Sequence, residues 1–192
     1  MRIKNAFRLE LEAAQKIVRA HPFGTFVSSD QQVTRMPCLL DGDGLTIVSH
    51  VARADPFAQA LGGPLVVTFS GLDGYISASW YEADTIPTWN HLTLYVRGRP
   101  ECFDDALPVL RRTVDHFEAV VEHPWSLDRL DDGGRAMADK VIAFRLPAEA
   151  WYAEAKLSQD QPGDERARLV AALRAPGPYT NPALAAAMLE GR

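Results

Sequence analysis

The sequence predicts a mainly β protein with helices: a small barrel of hairpin-linked strands, with helices inserted between and after them. Three observations carry this reading. Short β-prone runs alternate with strong turn signals through the first hundred residues. One run, HLTLYVRG, alternates apolar and polar side chains. Helical spacing appears near the start, once centrally and twice toward the end. An open α+β sheet satisfies the same periodicities and stands as the competing architecture.

From Leu9 to Ala20, Leu11, Ala14, Ile17 and Val18 recur at helical spacing, and HPFG ends that helix. GTFVSS and VTRMPCLL read as strands. Asp41 to Gly44, DGDG, is a tight-turn signal, so LTIVSH is the returning arm of a hairpin. Asp55 before Pro56 reads as an N-cap with proline at the first helical position, giving a brief helix, PFAQAL, stopped by Gly62 and Gly63.

PLVVTFS is a continuous apolar run suited to a strand buried on both faces, and GLDG reads as a turn into YISAS. In HLTLYVRG, Leu92, Leu94 and Val96 share one side and Thr93, Tyr95 and Arg97 the other. Asp104 or Asp105 caps a helix running toward Glu122, with Pro108 in the first turn, where amides have no helical acceptor. VIAFRL and WYAEAKLSQ return as strands. Helices from about Asp164 and from Asn181 and Pro182 close the chain.

A chain of 192 residues is long enough for one well-buried core with appendages and short for two. It reads as one domain over 1–192, with a helical extension from about residue 163. A net charge of −5 sets the molecule against nucleic acid, and no basic patch interrupts it, so direct DNA binding is disfavoured. Arg166, Arg168 and Arg174 share the helix DERARLVAALRA, but Asp164 and Glu165 adjoin them, as on a solvated face. No apolar run reaches the length of a membrane span, and the acid-bearing start lacks the apolar core of a secretion signal. A cytoplasmic protein with no membrane partner is expected. Cys38 and Cys102 fit no metal or redox spacing and read as buried small apolar residues.

SHVARADP gathers Ser49, His50 and Arg53 where a strand feeds a capped helix. A guanidinium fork, a hydroxyl and helix-start amides are the groups that hold a phosphate. Arg35 on VTRMP reaches the same spot if the strands pair through the DGDG turn. The alternative is a surface arginine, a helix-start serine and a solvated histidine, and spacing alone favours it.

YISASWYEADTIPTWNH places Trp80, Tyr81 and Trp89 on a segment interrupted by Pro87. Aromatic faces there suit a planar ligand; the alternative, that one indole plugs the barrel and the other covers a helix, is the one composition alone favours. KLSQDQPGDE offers Lys156, Ser158 and Gln159 before a helix, groups that anchor a phosphate or a heterocycle's edge or serve as an ordinary polar strand exit. His116 and His123 lack a third ligand, and Asp104/Asp105 and Asp131/Asp132 read as caps and turn-formers, so neither a metal site nor paired catalytic acids are expected. No glycine-rich phosphate loop, nucleophile elbow or Ser/His/Asp set is present, so any reactive group comes with a cofactor.

Three blocks, SHVARADP, the pair YISASWY and IPTWNH, and KLSQDQP, resemble the PaiB-type FMN-binding negative transcriptional regulators. These are a branch of the split β-barrel flavoproteins, related in fold to pyridoxamine phosphate oxidase. The resemblance covers nearly the whole chain, and its second and third blocks are the more specific. It implies an α+β split β-barrel of the FMN-binding type with N-terminal and C-terminal helices, and a homodimer with FMN in a groove between subunits. It places Ser49, His50 and Arg53 near the 5′-phosphate, where Arg35 adds a cation. It places Trp80 and Trp89 near the isoalloxazine and Lys156, Ser158 and Gln159 in the C-terminal signature. The chain departs from the pattern with Arg35 for His, Asp55 and Asp160 for Asn, Ala78 for Pro and His91 for Tyr. Of these, Asp55 puts a negative charge near the phosphate.

The resemblance implies a flavin-binding regulator of transcription, acting directly or through a partner. The alternative is an FMN-dependent oxidoreductase or flavin reductase drawing hydride from a nicotinamide nucleotide. A third reading puts another ligand such as haem in the groove, with His50 or His91 as axial ligand.

Overall fold

The computed structural model describes residues 5–130 and 132–190. Asp131, expected to act as a cap or turn-former, lies outside the described residues. Helix α1 (Leu11–Ala20) leads into β1 (Phe23–Ser28), β2 (Val33–Pro37), β3 (Leu39–Asp41) and β4 (Thr46–Ala52). Then follow β5 (Leu65–Ile76), β6 (Thr88–Gly98), β7 (Glu101–Cys102), α2 (Leu107–Glu118), α3 (Asp132–Ala138), β8 (Val141–Pro147), β9 (Ala150–Lys156), α4 (Gly163–Arg174) and α5 (Pro182–Glu190). Hydrogen bonding orders the strands β2-β1-β5-β6-β9 in one sheet and β3-β4-β8-β7 in the other.

By contact density the chain divides into two compact units. One comprises residues 5–17, 70–94 and 152–190, the other 18–69 and 95–151. In the second, β1 and β2 pair antiparallel with Thr25 opposite Arg35, and β3 and β4 pair with Leu39 opposite Val48 across the DGDG turn. Gly42 takes φ +64° in that turn, a conformation that costs a residue with a side chain. β4 and β8 pair over seven positions, from Thr46 opposite Pro147 to Ala52 opposite Val141. Phe26 meets Phe144 edge to face at 5.9 Å inside this unit. On the other side of β4, Val48 and Ala143 pack with Ala106 and with Val109 of α2.

The core of the first unit joins Ile76, Ala155 and Leu157 to Leu169, Val170 and Leu173 of α4 and Leu184, Ala185 and Met188 of α5. Fully burying each of these leucines stabilises the unit by about 1.5–3 kcal/mol relative to exposure. The C-terminal helices are therefore part of this core.

Four sequence expectations need correction. GLDG is not a turn: β5 runs unbroken through it. A Cβ on Gly74 would lie 2.7 Å from Leu184 Cδ2, so that glycine answers a close approach by α5. Helix α2 stops at Glu118, short of Glu122, and its N-cap position is Ala106 with no side-chain cap. Asp105 Oδ1 nevertheless accepts from Leu107 N at 2.9 Å. β7 and α3 have no counterpart in the sequence reading, because two strand residues and a helix carrying Gly133 and Gly134 leave no periodic signal. Cys38 is buried, which pushes its thiol up to about 12, but Cys102 is exposed.

Candidate functional site

In the second unit, β4 carries Ser49 and His50 to its end at Ala52 and delivers Arg53 just beyond it. Strand alternation sends Ser49 and His50 to opposite faces. Ser49 is 1% exposed and donates its hydroxyl to the Pro37 carbonyl at 2.8 Å. His50 lies opposite Ala143, on the face covered by α2. Its Nδ1 is buried without a hydrogen-bond partner among the described residues, and burial pushes the imidazole below its ordinary range. The block is thus split: Ser49 is a structural hydroxyl facing inward, and His50 does not share its side.

Arg53 continues the ladder past β4, its amide donating to the Lys140 carbonyl at 2.8 Å and its Nε to the Asp139 carbonyl at 2.8 Å. No described residue takes its two terminal nitrogens, and the side chain is exposed. Arg35 is engaged elsewhere on β2: its guanidinium lies 4.5 Å above the Phe23 ring and donates to the Phe23 carbonyl at 3.3 Å. The helix-start amides offered by the sequence are also occupied. Asp55 caps the 3-10 helix Pro56–Gly62, accepting from Phe57 N at 2.9 Å.

In the first unit the two tryptophans have different environments. Trp89 is 52% exposed, donates from its indole nitrogen to Asp73 Oδ1 at 3.1 Å and meets Tyr75 at 6.0 Å. Trp80 is half-buried, in the 3-10 turn Ala78–Trp80, and packs against the core made by α4 and α5. Tyr179 connects the two, 4.9 Å from Tyr75 and 6.4 Å from Trp80 between ring centroids. The structure therefore joins Trp80 and Trp89 through two tyrosines that sequence reading did not select. Tyr75 begins the quoted aromatic segment, so proximity was a usable signal for it; nothing marks Tyr179 within APGPYT.

The KLSQ block is committed to holding the unit together. Lys156 Nζ donates to the Trp89 carbonyl at 3.1 Å and to Thr88 Oγ1. Ser158 is buried and exchanges hydrogen bonds with Asn90, at 2.9 and 3.2 Å. Gln159 Oε1 accepts from Leu157 N at 2.6 Å, while its Nε2 donates to the carbonyls of Ala6, at 3.2 Å, and Ala155. Nearby on β6 and β9, His91 Nε2 lies 3.5 Å from Glu154 Oε1 and its Nδ1 3.2 Å from Thr93 Oγ1. No group of three or more metal-ligating side chains occurs among the described residues, nor does any helix there have the length and apolarity to cross a membrane.

A family model described as "Putative FMN-binding domain" matches residues 1–150. Protease synthase and sporulation protein PAI 2 of Bacillus subtilis (strain 168) is 26% identical over 160 residues, which is 78% of this chain and 77% of that protein. The flavocytochrome Anf3 from Azotobacter vinelandii superposes with a TM-score of 0.64 at 18% identity, covering 96% of this chain and 78% of its own. The FAD and heme binding protein from Mycobacterium smegmatis superposes at 0.56 and 17% identity, covering 81% and 76%. At these identities the two structures establish the fold, and they bear out the expected α+β split barrel. The family match bears out FMN as the expected cofactor.

Proposed function

The chain belongs to this family of FMN-binding domains, and from that premise we propose that Arg53 grips the FMN phosphate and that the protein serves as a flavin-loaded regulator. The observation that carries the assignment is a guanidinium fixed at Nε by a backbone carbonyl while no described residue claims its terminal nitrogens. That is the fork a phosphate takes in a bidentate pair. Burial favours the neutral imidazole of His50, whereas Arg53 carries its positive charge at this end of β4. Arg35 and Ser49 belong to the proposed neighbourhood but reach an anion only by giving up Phe23 and Pro37.

For the ring, the proposed contacts in the first unit are Trp89, whose indole is largely in water, and Trp80. Lys156 sets the Trp89 backbone, and Ser158 and Gln159 hold the strand exit, so this block acts by positioning. FMN, when bound, supplies the redox chemistry; these side chains bind, orient and exclude water.

The regulatory role follows the resemblance to the PaiB-type regulators, and we place the protein in the cytoplasm and in a homodimer. Direct DNA contact is not part of this reading. Arg168 on α4 is paired with Glu82 at 2.8 Å and Glu165 at 3.1 Å. Arg111, Arg112, Arg135 and Arg145 are each paired with a carboxylate. The net charge of −5 opposes the approach to a polyanionic duplex that counterion release would have to reward.

Titration of the purified protein with FMN, followed by flavin fluorescence and the visible spectrum, tests the cofactor reading, which fails if no saturable binding appears. A mobility-shift assay at modest salt is expected to show no retardation of promoter DNA. Steady NADH or NADPH oxidation by the FMN-loaded protein would replace the regulator reading with that of a nicotinamide-linked oxidoreductase.

A further inference from the structure

We propose that the first unit holds a second small-molecule site, in the cavity between the 3-10 turn Ala78–Trp80 and the loop that joins α4 to α5. Its ligand class is a small uncharged aromatic ring bearing an amide or hydroxyl. The cleft is half open to solvent and offers about 350 Å³, at the small end of ligand pockets, which run from about 300 to 1,000 Å³. That volume suits a single ring system.

The lining fixes the chemistry. Trp80 and Tyr179 form its aromatic walls, their rings meeting at 69°, with Ala172 and Pro176 completing an apolar surface. No lining side chain carries a charge, so an ionic ligand finds no counter-charge in the lining. Polarity enters at one spot, where Ser77 Oγ and Ser79 Oγ lie 2.8 Å apart. Two hydroxyls sharing one hydrogen bond keep one proton and several lone pairs to offer. An amide or hydroxyl on the ring's edge would meet them.

The site is also formed in advance. Thr180 Oγ1 donates to the carbonyls of Ala175 and Gly177 at 2.7 and 2.9 Å, tying the loop to itself. Asn181 fastens the loop's far end, its amide nitrogen donating to the Leu173 carbonyl at 2.8 Å and Nδ2 to the Asp73 carbonyl at 2.9 Å. A ligand entering such a loop loses little free energy to ordering it. The proposal does not rest on the flavin reading, although Trp80 enters both.

Saturation-transfer NMR on the full chain, with benzamide as probe and benzoate as an anion of the same shape, tests it. Transfer to benzamide is expected, with benzoate bound several-fold more weakly because the lining offers its charge no partner. Ala172→Phe, which fills the cavity from α4, should abolish the transfer, and Tyr179→Ala, at an exposed wall, should weaken it at least about tenfold even if the first variant misfolds. Saturating FMN should leave the signal in place. The proposal falls if benzamide shows no transfer, if benzoate matches it, if both variants bind as the parent does, or if FMN displaces the probe. A chain that takes benzamide but not FMN would leave this site standing and remove only the flavin reading.

Discussion

Asn90 on β6 and Ser158, two residues past the end of β9, are buried against each other, the Asn90 amide donating to Ser158 Oγ at 2.9 Å. Ser158 holds a left-handed backbone, φ +58°, which a non-glycine residue adopts at a cost that its surroundings must outweigh. The hydrogen bond is what the turn gains in return. Ser158→Ala leaves the Asn90 amide without its hydroxyl partner in a buried site and is expected to destabilise the chain by about 1–3 kcal/mol. Urea midpoints compared with the parent measure this. A change within a few tenths of a kcal/mol would mean that the pair contributes nothing.

Below its ordinary range, the His50 imidazole makes a distinct pH signature. Its folded-state pKa is depressed from 6.5 by burial, so the unfolded chain binds that proton more readily. Stability from this group is complete above the unfolded value and declines as pH drops through the region beneath it. Urea midpoints between about pH 5 and 8 should therefore fall on the acid side in the parent and fall less in His50→Leu. The carboxyls of Asp30 and Asp105 are lowered from 3.8, so what they contribute is present above that value and lost only in more acid solution. Parallel profiles for parent and variant would contradict the assignment.

What the sequence made legible follows from how local each signal is. The alternation of Leu92, Leu94 and Val96 with polar neighbours is a property of β6 alone, and Asp55 caps the amide two residues away. Both were readable. GLDG misleads because the approach of Leu184 to Gly74 comes from a distant part of the chain. The tryptophans were readable as a pair of possibilities and no further. Trp80 is defined by C-terminal helices and Trp89 by Asp73, so neither fate is written in the segment that holds them. SHVARADP suggested one converging cluster, whereas strand alternation separates Ser49 from His50.

Arg53→Ala should weaken FMN by roughly 1.5–3 kcal/mol, the range for a hydrogen bond to a charged group, which is about tenfold to 150-fold in Kd. Riboflavin, which has the ring but no phosphate, should bind parent and variant alike. Fluorescence titrations with both flavins decide this, and an equal loss for riboflavin would move Arg53 away from the phosphate.

The two tryptophans should separate stability from binding. Trp80→Ala removes a half-buried indole from the core formed by α4 and α5 and is expected to cost roughly 1–3 kcal/mol in urea unfolding. Trp89→Ala removes a ring already 52% exposed, with an exposed hydrogen bond to Asp73, and should cost under about 1 kcal/mol while lowering FMN affinity. The reverse order of stabilities would show that Trp89 is the structural member.

Gly98 ends β6, in the second unit, against the end of β8. A Cβ placed there would stand 2.1 Å from the Pro147 carbonyl oxygen and 3.3 Å from Leu146 Cδ1. The nearer obstacle is backbone, and that backbone is tied: Pro147 pairs with Thr46 at the end of the β4–β8 ladder, and Glu149 N donates to the Arg97 carbonyl at 2.9 Å. Gly74 offers a contrast, since its obstacle is the end of the Leu184 side chain, at 2.7 Å, which can turn aside. Gly98→Ala should therefore cost about 3 kcal/mol or more, the upper end for overpacking, and Gly74→Ala about 1–2 kcal/mol. Urea midpoints rank the two, and a Gly98→Ala variant as stable as the parent would mean that β6 and β8 do not approach as described.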